Sequence, residues 1–337
     1  MATIQDVVAK SGVSIATVSR VINNSPKVLP ETREKVLAVI RELDYHPNKL
    51  AQQFRSQQTK NILVLLPKAG DEFYSDILKG IDKVASETGY HIFLVNTHND
   101  SQLERYYFET LVQKQYDGII NFSATLPKEY MSEIAQQYPV VVGIRYLEDA
   151  GLPNVSIDNL AASREITEYI LNLGHKKIAY LCGNSGQPIY MSRLEGFCQA
   201  LKHRNLSVDE QLVVMTEPDI RGGYDAAMKL LHSKVKFTAV IAGGDKMAVG
   251  AIKALEDNCV KVPDDVAVCG FDDIELSTLL SPTLTTIRQP REMIGRYCIE
   301  KVLGRIRGED NGLSDQLVLD YELVIRQSSG KQIILQE

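Results

Sequence analysis

The 337-residue sequence predicts two unlike parts: a small all-α head with a helix-turn-helix pattern, and an α/β body of two doubly wound parallel-sheet subdomains. Three observations carry this reading. The spacing of apolar residues changes at Ile62 from a helical period to short, β-branched runs. These runs, about ten in all, are too many for one sheet of ordinary size. The charge is also divided: residues 1–60 hold nine Lys/Arg against five Asp/Glu, although the whole chain is at −6. A basic head on an acidic body suggests that the head alone meets a polyanion.

In the head, Thr3 with Asp6 three residues later reads as a helix N-cap and its acidic partner. Ile4, Val7 and Val8 supply the apolar stripe, and Gly12 ends it. Ser14 is the next cap, followed by Val18, Val21 and Ile22. Pro30 suits the first position of a third helix, with Val36, Val39, Ile40 and Leu43 facing inward. Three short helices with a tight second turn match helix-turn-helix geometry.

The stretch "HPNKLAQQFRSQQTKN", from His46 to Asn61, is polar and has no acidic residue. Its only apolar stripe is Leu50, Ala51 and Phe54. It reads as a linker able to form two helical turns that would not hold alone in water. The body then alternates apolar runs such as "NILVLLP", "HIFLVNT", "YDGIINFS" and "VVVGIRY" with helical stretches such as Tyr74–Thr88 and Leu103–Gln113. "KKIAYLCG", "QLVVMTE", "FTAVIAGG" and "DDVAVCGF" repeat the scheme. Such runs predict parallel sheets covered on both faces, with a ligand cleft at the carboxyl ends of the strands.

Several classes of function are disfavoured. No apolar run approaches the ~18 residues of a membrane span, and no charged-then-apolar leader pattern opens the chain. We therefore expect a cytoplasmic protein. The cysteines Cys182, Cys198, Cys259, Cys269 and Cys298 lack CxxC spacing. They read as reduced thiols, with a zinc site or a reactive cysteine as the alternative. There is no GxGxxG after a first strand, no P-loop, no GxSxG and no HExxH. "AGGD" (Ala242–Asp245) follows a strand but completes no phosphate fingerprint. His91, His98 and His175 read as ordinary surface or turn residues. Asp272-Asp273 is the one acidic pair after a strand; capping the next helix competes there with a metal or acid–base role. The reading is of no enzyme, no cofactor, no metal and no catalytic residue.

"TIQDVVAKSGVSIATVSRVINNSPKVLPETREKV" and "YHPNKLAQQF" resemble the DNA-binding head and hinge of the lactose repressor/galactose repressor (LacI/GalR) family of transcription regulators. The body motifs "DGIINFS", "VSIDNLAAS", "LGHKKIAYLCG", "SRLEGF", "FTAVIAGGDKMAVGAIKAL", "VPDDVAVCGFDD" and "LTTIRQP" stand in that family's order, so the resemblance runs from Thr3 to Ser328. "SIDNLAA" and "RLEGFCQAL" look most like its cytidine-repressor branch.

The resemblance implies a ligand-responsive repressor that binds double-stranded palindromic operator DNA. Its second helix would enter the major groove, with Ile15 and Ala16 at positions that vary specificity. Arg20 would be the strongest reader, suited to guanine O6 and N7. Ser14, Thr17, Ser19 and Asn23 are short donors for phosphates or nearby base edges. In the hinge, Asn48, Lys49, Ala51 and Arg55 match minor-groove and phosphate contacts. Phe54 stands where leucine is commoner and would wedge into the central base step.

The resemblance also implies a body like the periplasmic sugar-binding proteins. The expected division is a head 1–46, a hinge 47–60 and a body 61–330. Within the body, an N-subdomain of 61–158 plus 289–315 would face a C-subdomain of 159–288 plus 316–330. Phe73, Tyr74, Asp158, Arg193 and Asp245 would meet a sugar or nucleoside in the cleft, with Arg145 and Gln289 as further members. Arg145 replaces an acid of the lactose-type pattern and raises a uronate as effector. Gln187, Ile189 and Glu217–Ile220 would shape the rim. The lack of a leucine-heptad tail suggests a homodimer. Two other readings stay open: a global catabolite regulator controlled by a protein partner, and a small-molecule-binding protein without a regulatory role.

Overall fold

Three short helices form the head: α1 (Ile4–Ser11), α2 (Ile15–Ile22) and α3 (Pro30–Glu42). In this computed structural model the described residues are 2–46, 58–145, 151–184, 188–233, 235–309 and 315–330. The chain divides into a unit Met1–Thr59 and a unit Lys60–Glu337.

The local chemistry of the head explains its helices. Thr3 and Asp6 form a reciprocal capping box on α1, and Gly12 closes that helix at φ 69°, a conformation glycine adopts without strain. Ser14 caps α2 by accepting from the Thr17 N–H, and Pro30 occupies the start of α3. Val7, Val18, Val21, Val36 and Val39 are buried together, with Val8, Ile40 and Leu43 packed around them. So few apolar side chains make a modest core, each worth ~1.5–3 kcal/mol when fully buried. Surface ties supplement it: Lys10 Nζ lies 2.6 Å from Glu42, joining α1 to α3. Arg33 donates to Asn24 and to the Ser25 carbonyl, joining α3 to the loop behind α2.

The first lobe of the body comprises β1 (Asn61–Leu66), α4 (Phe73–Thr88), β2 (His91–Asn96), α5 (Ser101–Val112), β3 (Gly118–Asn121), α6 (Lys128–Gln137), β4 (Val140–Gly143) and β5 (Asn154–Ile157). The second lobe comprises α7 (Asn159–Asn172), β6 (Ile178–Gly183), α8 (Pro188–His203), β7 (Val213–Thr216), α9 (Ile220–His232), β8 (Ala239–Ala242), α10 (Asp245–Asp257), β9 (Ala267–Cys269) and the short α11 (Leu276–Leu279). The chain then runs through β10 (Thr286–Arg288), α12 (Arg291–Arg307), β11 (Gln316–Leu319) and β12 (Glu322–Val324).

Two parallel sheets result, in the orders β11-β5-β4-β3-β1-β2 and β7-β6-β8-β9. Strands β10 and β12 pair antiparallel as a separate ribbon. In each sheet the first strand lies between its second and third, so the winding reverses beside it. Ligand crevices form at such switch points. Ile62 to Leu66 of β1 are wholly buried because helices cover both faces there.

Two expectations need correction. The resemblance places residues 316–319 in the second subdomain, but β11 pairs with β5 from Gln316↔Asn154 to Leu319↔Ile157. The chain therefore returns to the second lobe only after Leu319. The local apolar pattern cannot distinguish the two sheets; the long-range pairing does. The run "HIFLVNT" read as a strand covered on both sides. It is instead the edge strand β2, with Phe93 and Leu94 45% and 51% exposed.

Candidate nucleic-acid face and ligand cleft

Helix α2 buries Val18 and Val21 and leaves the opposite side open. Ser14, Ile15, Ala16, Arg20 and Asn23 are exposed, while Thr17 and Ser19 are half-buried. Ile15 keeps 49% of its surface in solvent. The Arg20 guanidinium makes no hydrogen bond or ion pair among the described residues, so its fork is uncommitted. The short polar side chains are partly engaged at home. Ser14 Oγ and Thr17 Oγ1 lie 2.9 Å apart, and Asn23 Nδ2 reaches Ser19 Oγ at 3.5 Å. Asn48, Lys49, Ala51, Phe54 and Arg55 lie outside the described residues.

In the body, the ends of both sheets enclose a cavity of about 420 Å³. Its wall is built from the turns after strands: Pro67 and Lys68 after β1, His98 and Asn99 after β2, Ile144 after β4. The second lobe adds Tyr190 and Arg193 from α8, Glu217 after β7, Lys246 from α10 and Asp272 after β9.

Arg193 is the centre of this wall. It is 2% exposed, and its guanidinium carbon lies 3.6 Å from the centre of the Phe271 ring. Its Nε donates to Asn159 Oδ1 at 2.9 Å, Nη1 to the Gly243 carbonyl at 2.5 Å and Nη2 to Asp272 Oδ1 at 3.1 Å. Gln289, also buried, donates to the same Asp272 oxygen at 2.7 Å. A guanidinium has five N–H groups, so two remain for a bound molecule, as does Asp272 Oδ2. Burial pushes the Asp272 carboxyl above the usual range, while Arg193 and Arg291 pull it down. Asp272 (φ 116°) and Asp273 (φ 51°) both sit in the left-handed region, where side-chain-bearing residues are strained. Strain of this kind concentrates at ligand sites.

Phe73 and Tyr74 open α4 and line the cavity, their rings edge to face at 5.2 Å. Tyr190 faces it from the second lobe. Burial, more than neighbouring charge, raises the Tyr74 and Tyr190 phenols, so both remain protonated donors near neutral pH.

Four candidate residues do not line the cavity: Gln289, which stands behind Asp272, and Asp158, Asp245 and Arg145. Asp158 is exposed and caps α7, accepting from the Ala161 N–H at 2.8 Å; its neighbour Asn159 is the residue turned to Arg193. Asp245 lies behind the wall, 1% exposed, and accepts from Thr286 Oγ1 at 2.6 Å and the Ile274 N–H at 2.9 Å. Burial, reinforced by Asp272, raises its carboxyl to about 7. Of the two acids it is thus Asp272, and not Asp245, that lines the cavity. Arg145 is the last of the four. Ile144 takes φ 59° and lines the cavity, whereas the Arg145 guanidinium donates to the Ala124 carbonyl. Its Nε is buried without a partner, and burial lowers its pKa. The geometry gives a uronate no cation at this position.

Of the rim candidates, Ile189, Glu217, Pro218 and Asp219 line the cavity, Ile220 does not, and Gln187 lies outside the described residues. The sequence reading leaves Asp272-Asp273 open between a helix cap and a metal or acid–base role and takes His98 as a surface or turn residue. Neither Asp272 nor His98 is therefore named as part of the ligand cleft, whose wall both line. The usable signal was position: each directly follows an apolar run, at the carboxyl end of a strand. Among the described residues no His, Cys, Asp and Glu cluster is arranged to hold a metal ion. Cys182, Cys269 and Cys298 are buried free thiols, and Cys259 is exposed.

Comparison with known proteins gives the same two-part division. Residues 3–48 match the family described as bacterial regulatory proteins, lacI family. Residues 59–322 match periplasmic binding proteins and sugar binding domain of LacI family. The chain is 34% identical to the HTH-type transcriptional repressor CytR of Escherichia coli (strain K12), covering 97% of this chain and 96% of CytR. It is 36% identical to the ribose operon repressor of the same organism, over 91% of this chain and 93% of that one. It is 33% identical to catabolite control protein A of Priestia megaterium, over 97% and 99%. Among solved structures, the Lac repressor dimer bound to operator and the anti-inducer ONPF superposes with a TM-score of 0.86 at 25% identity, covering 98% of this chain and 99% of that one. With both family descriptions matched in order and relatives above 30% identity across nearly the whole length, the chain belongs to the LacI family of bacterial regulatory proteins.

Proposed function

We propose that this protein is a ligand-responsive, sequence-specific repressor of a carbohydrate or nucleoside utilisation operon, acting as a homodimer in the cytoplasm. The observation that carries the reading is the presence, on one chain, of an exposed helix with an uncommitted arginine and an enclosed cleft whose buried arginine keeps donors free. Arg20 reads guanine in each half-site. Ile15 and Ala16 make apolar contact with base edges. Ser14, Thr17, Ser19 and Asn23 hold phosphates or neighbouring edges. Asn48, Lys49, Ala51 and Arg55 follow the minor groove, and Phe54 wedges the central step.

In the cleft, Arg193 and Asp272 meet the hydroxyls of a sugar or nucleoside, and Phe73, Tyr74 and Tyr190 face its ring. Gln289 fixes Asp272, and Asp245 supports it from behind. Ligand changes the closure of the two lobes, the first lobes rotate across the dimer, and the paired hinges move together or apart. Coupling of this kind typically amounts to about 1–3 kcal/mol. Relatives named as an HTH-type transcriptional repressor and as a ribose operon repressor support the class of regulator.

The test is anisotropy titration of the full chain on a palindromic duplex selected from random sequence. Sequence-specific, salt-sensitive binding that weakens in Arg20→Ala is the expected result. Binding indifferent to sequence and to that substitution would overturn the reading.

A further inference from the structure

Two polar contacts bridge the lobes directly from one short segment of the first lobe, Asp71 to Asp76, and Arg291 of the first lobe links that segment to the second lobe. Lys246 Nζ, at the start of α10, lies 2.7 Å from Asp71 Oδ1; the two side chains are 24% and 21% exposed. Glu72 Oε1 accepts from the Glu275 N–H at 3.0 Å, across 203 residues of sequence. Arg291, the first residue of α12, donates Nη2 to Asp76 Oδ2 at 2.7 Å. Its Nη1 donates to the carbonyls of Asp272 and, at 2.9 Å, Asp273.

The segment stands between two parts of the body. Phe73 and Tyr74, within it, line the cavity and begin α4. On the other side stand the strained corner that carries Asp272 and the helix start that carries Lys246. Behind it, α4 is locked to α12 backbone to backbone. A Cβ on Gly80 would stand 2.0 Å from the Glu292 carbonyl oxygen, and one on Gly295 would stand 1.9 Å from that of Ile77. Helices packed this closely move as one body. A shift of the Asp71–Asp76 segment therefore carries α4 and α12 together.

We propose that Asp71–Asp76 is a latch: the ion pair Asp71–Lys246 closes the cleft using the protein's own charges, and Arg291 ties the closed corner to α4. Closure and the position of α4 are then one event. The ligand does not have to bridge both lobes by itself. Lys246 and Asp71 both stand in the cavity wall, so a ligand group that reaches either one sets the latch directly. This rests on the reading of the cleft as the effector site.

The test uses the ligand-free, full-length protein and hydrogen exchange at the Glu275 amide. That amide is exposed and bonded to the opposite lobe, but neither Asp71 nor Lys246 touches it. Asp71→Asn removes the charge and keeps an acceptor for the Phe73 N–H, which Asp71 Oδ1 now holds at 3.1 Å. With Asp71→Asn, or with Lys246→Met, exchange at Glu275 is expected to rise about tenfold, the thermal midpoint staying within a few degrees. The reversed pair, Asp71→Lys with Lys246→Asp, is expected to restore slow exchange. Unchanged exchange in both single variants overturns the latch, and so does a rise that the reversed pair fails to correct. Operator affinity is measured on the same proteins. If exchange rises and is restored while operator affinity never moves, the latch stands and the coupled-repressor reading fails. If operator affinity moves with exchange unaltered, the latch alone fails.

Discussion

Arg20 in the head and Arg193 in the cleft are the two arginines on which recognition depends, and they are placed in opposite ways. Arg20 is exposed on α2, and its guanidinium has no partner among the described residues. Arg193 is 2% exposed, held by Asn159, the Gly243 carbonyl and Asp272, and stacked on Phe271. A surface that must meet a polyanion keeps its donors uncommitted, because the partner brings the acceptors and the field extends through water. A cleft that must select a small polar molecule fixes its donors beforehand, which removes the ordering cost when the ligand arrives. The difference teaches that one residue type serves binding alone in the first place, and both binding and folding in the second.

Breaking each arginine should expose this contrast. Arg193→Ala leaves Asn159 Oδ1 and the Gly243 carbonyl without the donor they share, and Asp272 without its cation. We expect a loss of ~3–5 kcal/mol in stability, read by urea unfolding of the body, as for a broken buried pair. Arg20→Ala should leave unfolding within ~0.5 kcal/mol of the parent yet weaken operator binding by ~1–3 kcal/mol per half-site. An Arg20 variant that unfolds early, or an Arg193 variant of full stability, would erase the distinction.

Asp245 sharpens the cleft side of the comparison. Its carboxyl is raised to about 7 by burial and by Asp272. The native state therefore holds a proton that an unfolded aspartate, with its pKa of ~3.9, has released. The stability this contributes is present below about pH 4 and is lost as pH rises through about 7. Asp245→Asn should remove the slope, so relative to the parent it gains more than ~1 kcal/mol between pH 5 and pH 8, read by denaturant unfolding at both values. An unchanged difference would place the proton elsewhere. The smallest effect belongs to Asp158→Ala. It removes the α7 cap, costs ~1 kcal/mol and leaves ligand affinity unaltered, because the side chain holds the Ala161 N–H rather than the cavity.

How much of this was legible followed the same division. Caps and turns are local, so Thr3 with Asp6, Gly12, Ser14 and Pro30 were placed correctly from a few neighbours each. Arg193, Phe73 and Tyr74 came from the family resemblance, and the cavity does bring them together. The two misplaced acids show where such reading stops. Asp158 stands one residue before Asn159, and at the start of a helix that single step turns a ligand contact into a cap. Asp245 and Asp272 are 27 positions apart and meet only when β8 and β9 pair. Which of the two fronts the cavity depends on the positive φ at Asp272, and no residue pattern announces that angle. β11 shows the same limit, since its sheet is chosen by a partner strand more than 150 residues away.

The central claim, that one chain converts occupancy of its cleft into operator affinity, has a direct test. Ligands that raise the thermal midpoint of the full-length protein would be found in a panel of sugars and nucleosides, and operator binding titrated with and without each at fixed salt. The account predicts that such a ligand changes operator Kd by about fivefold or more, the lower end of ordinary coupling. A ligand that stabilises the protein, loses its effect in Arg193→Ala and still leaves operator Kd unchanged would contradict it.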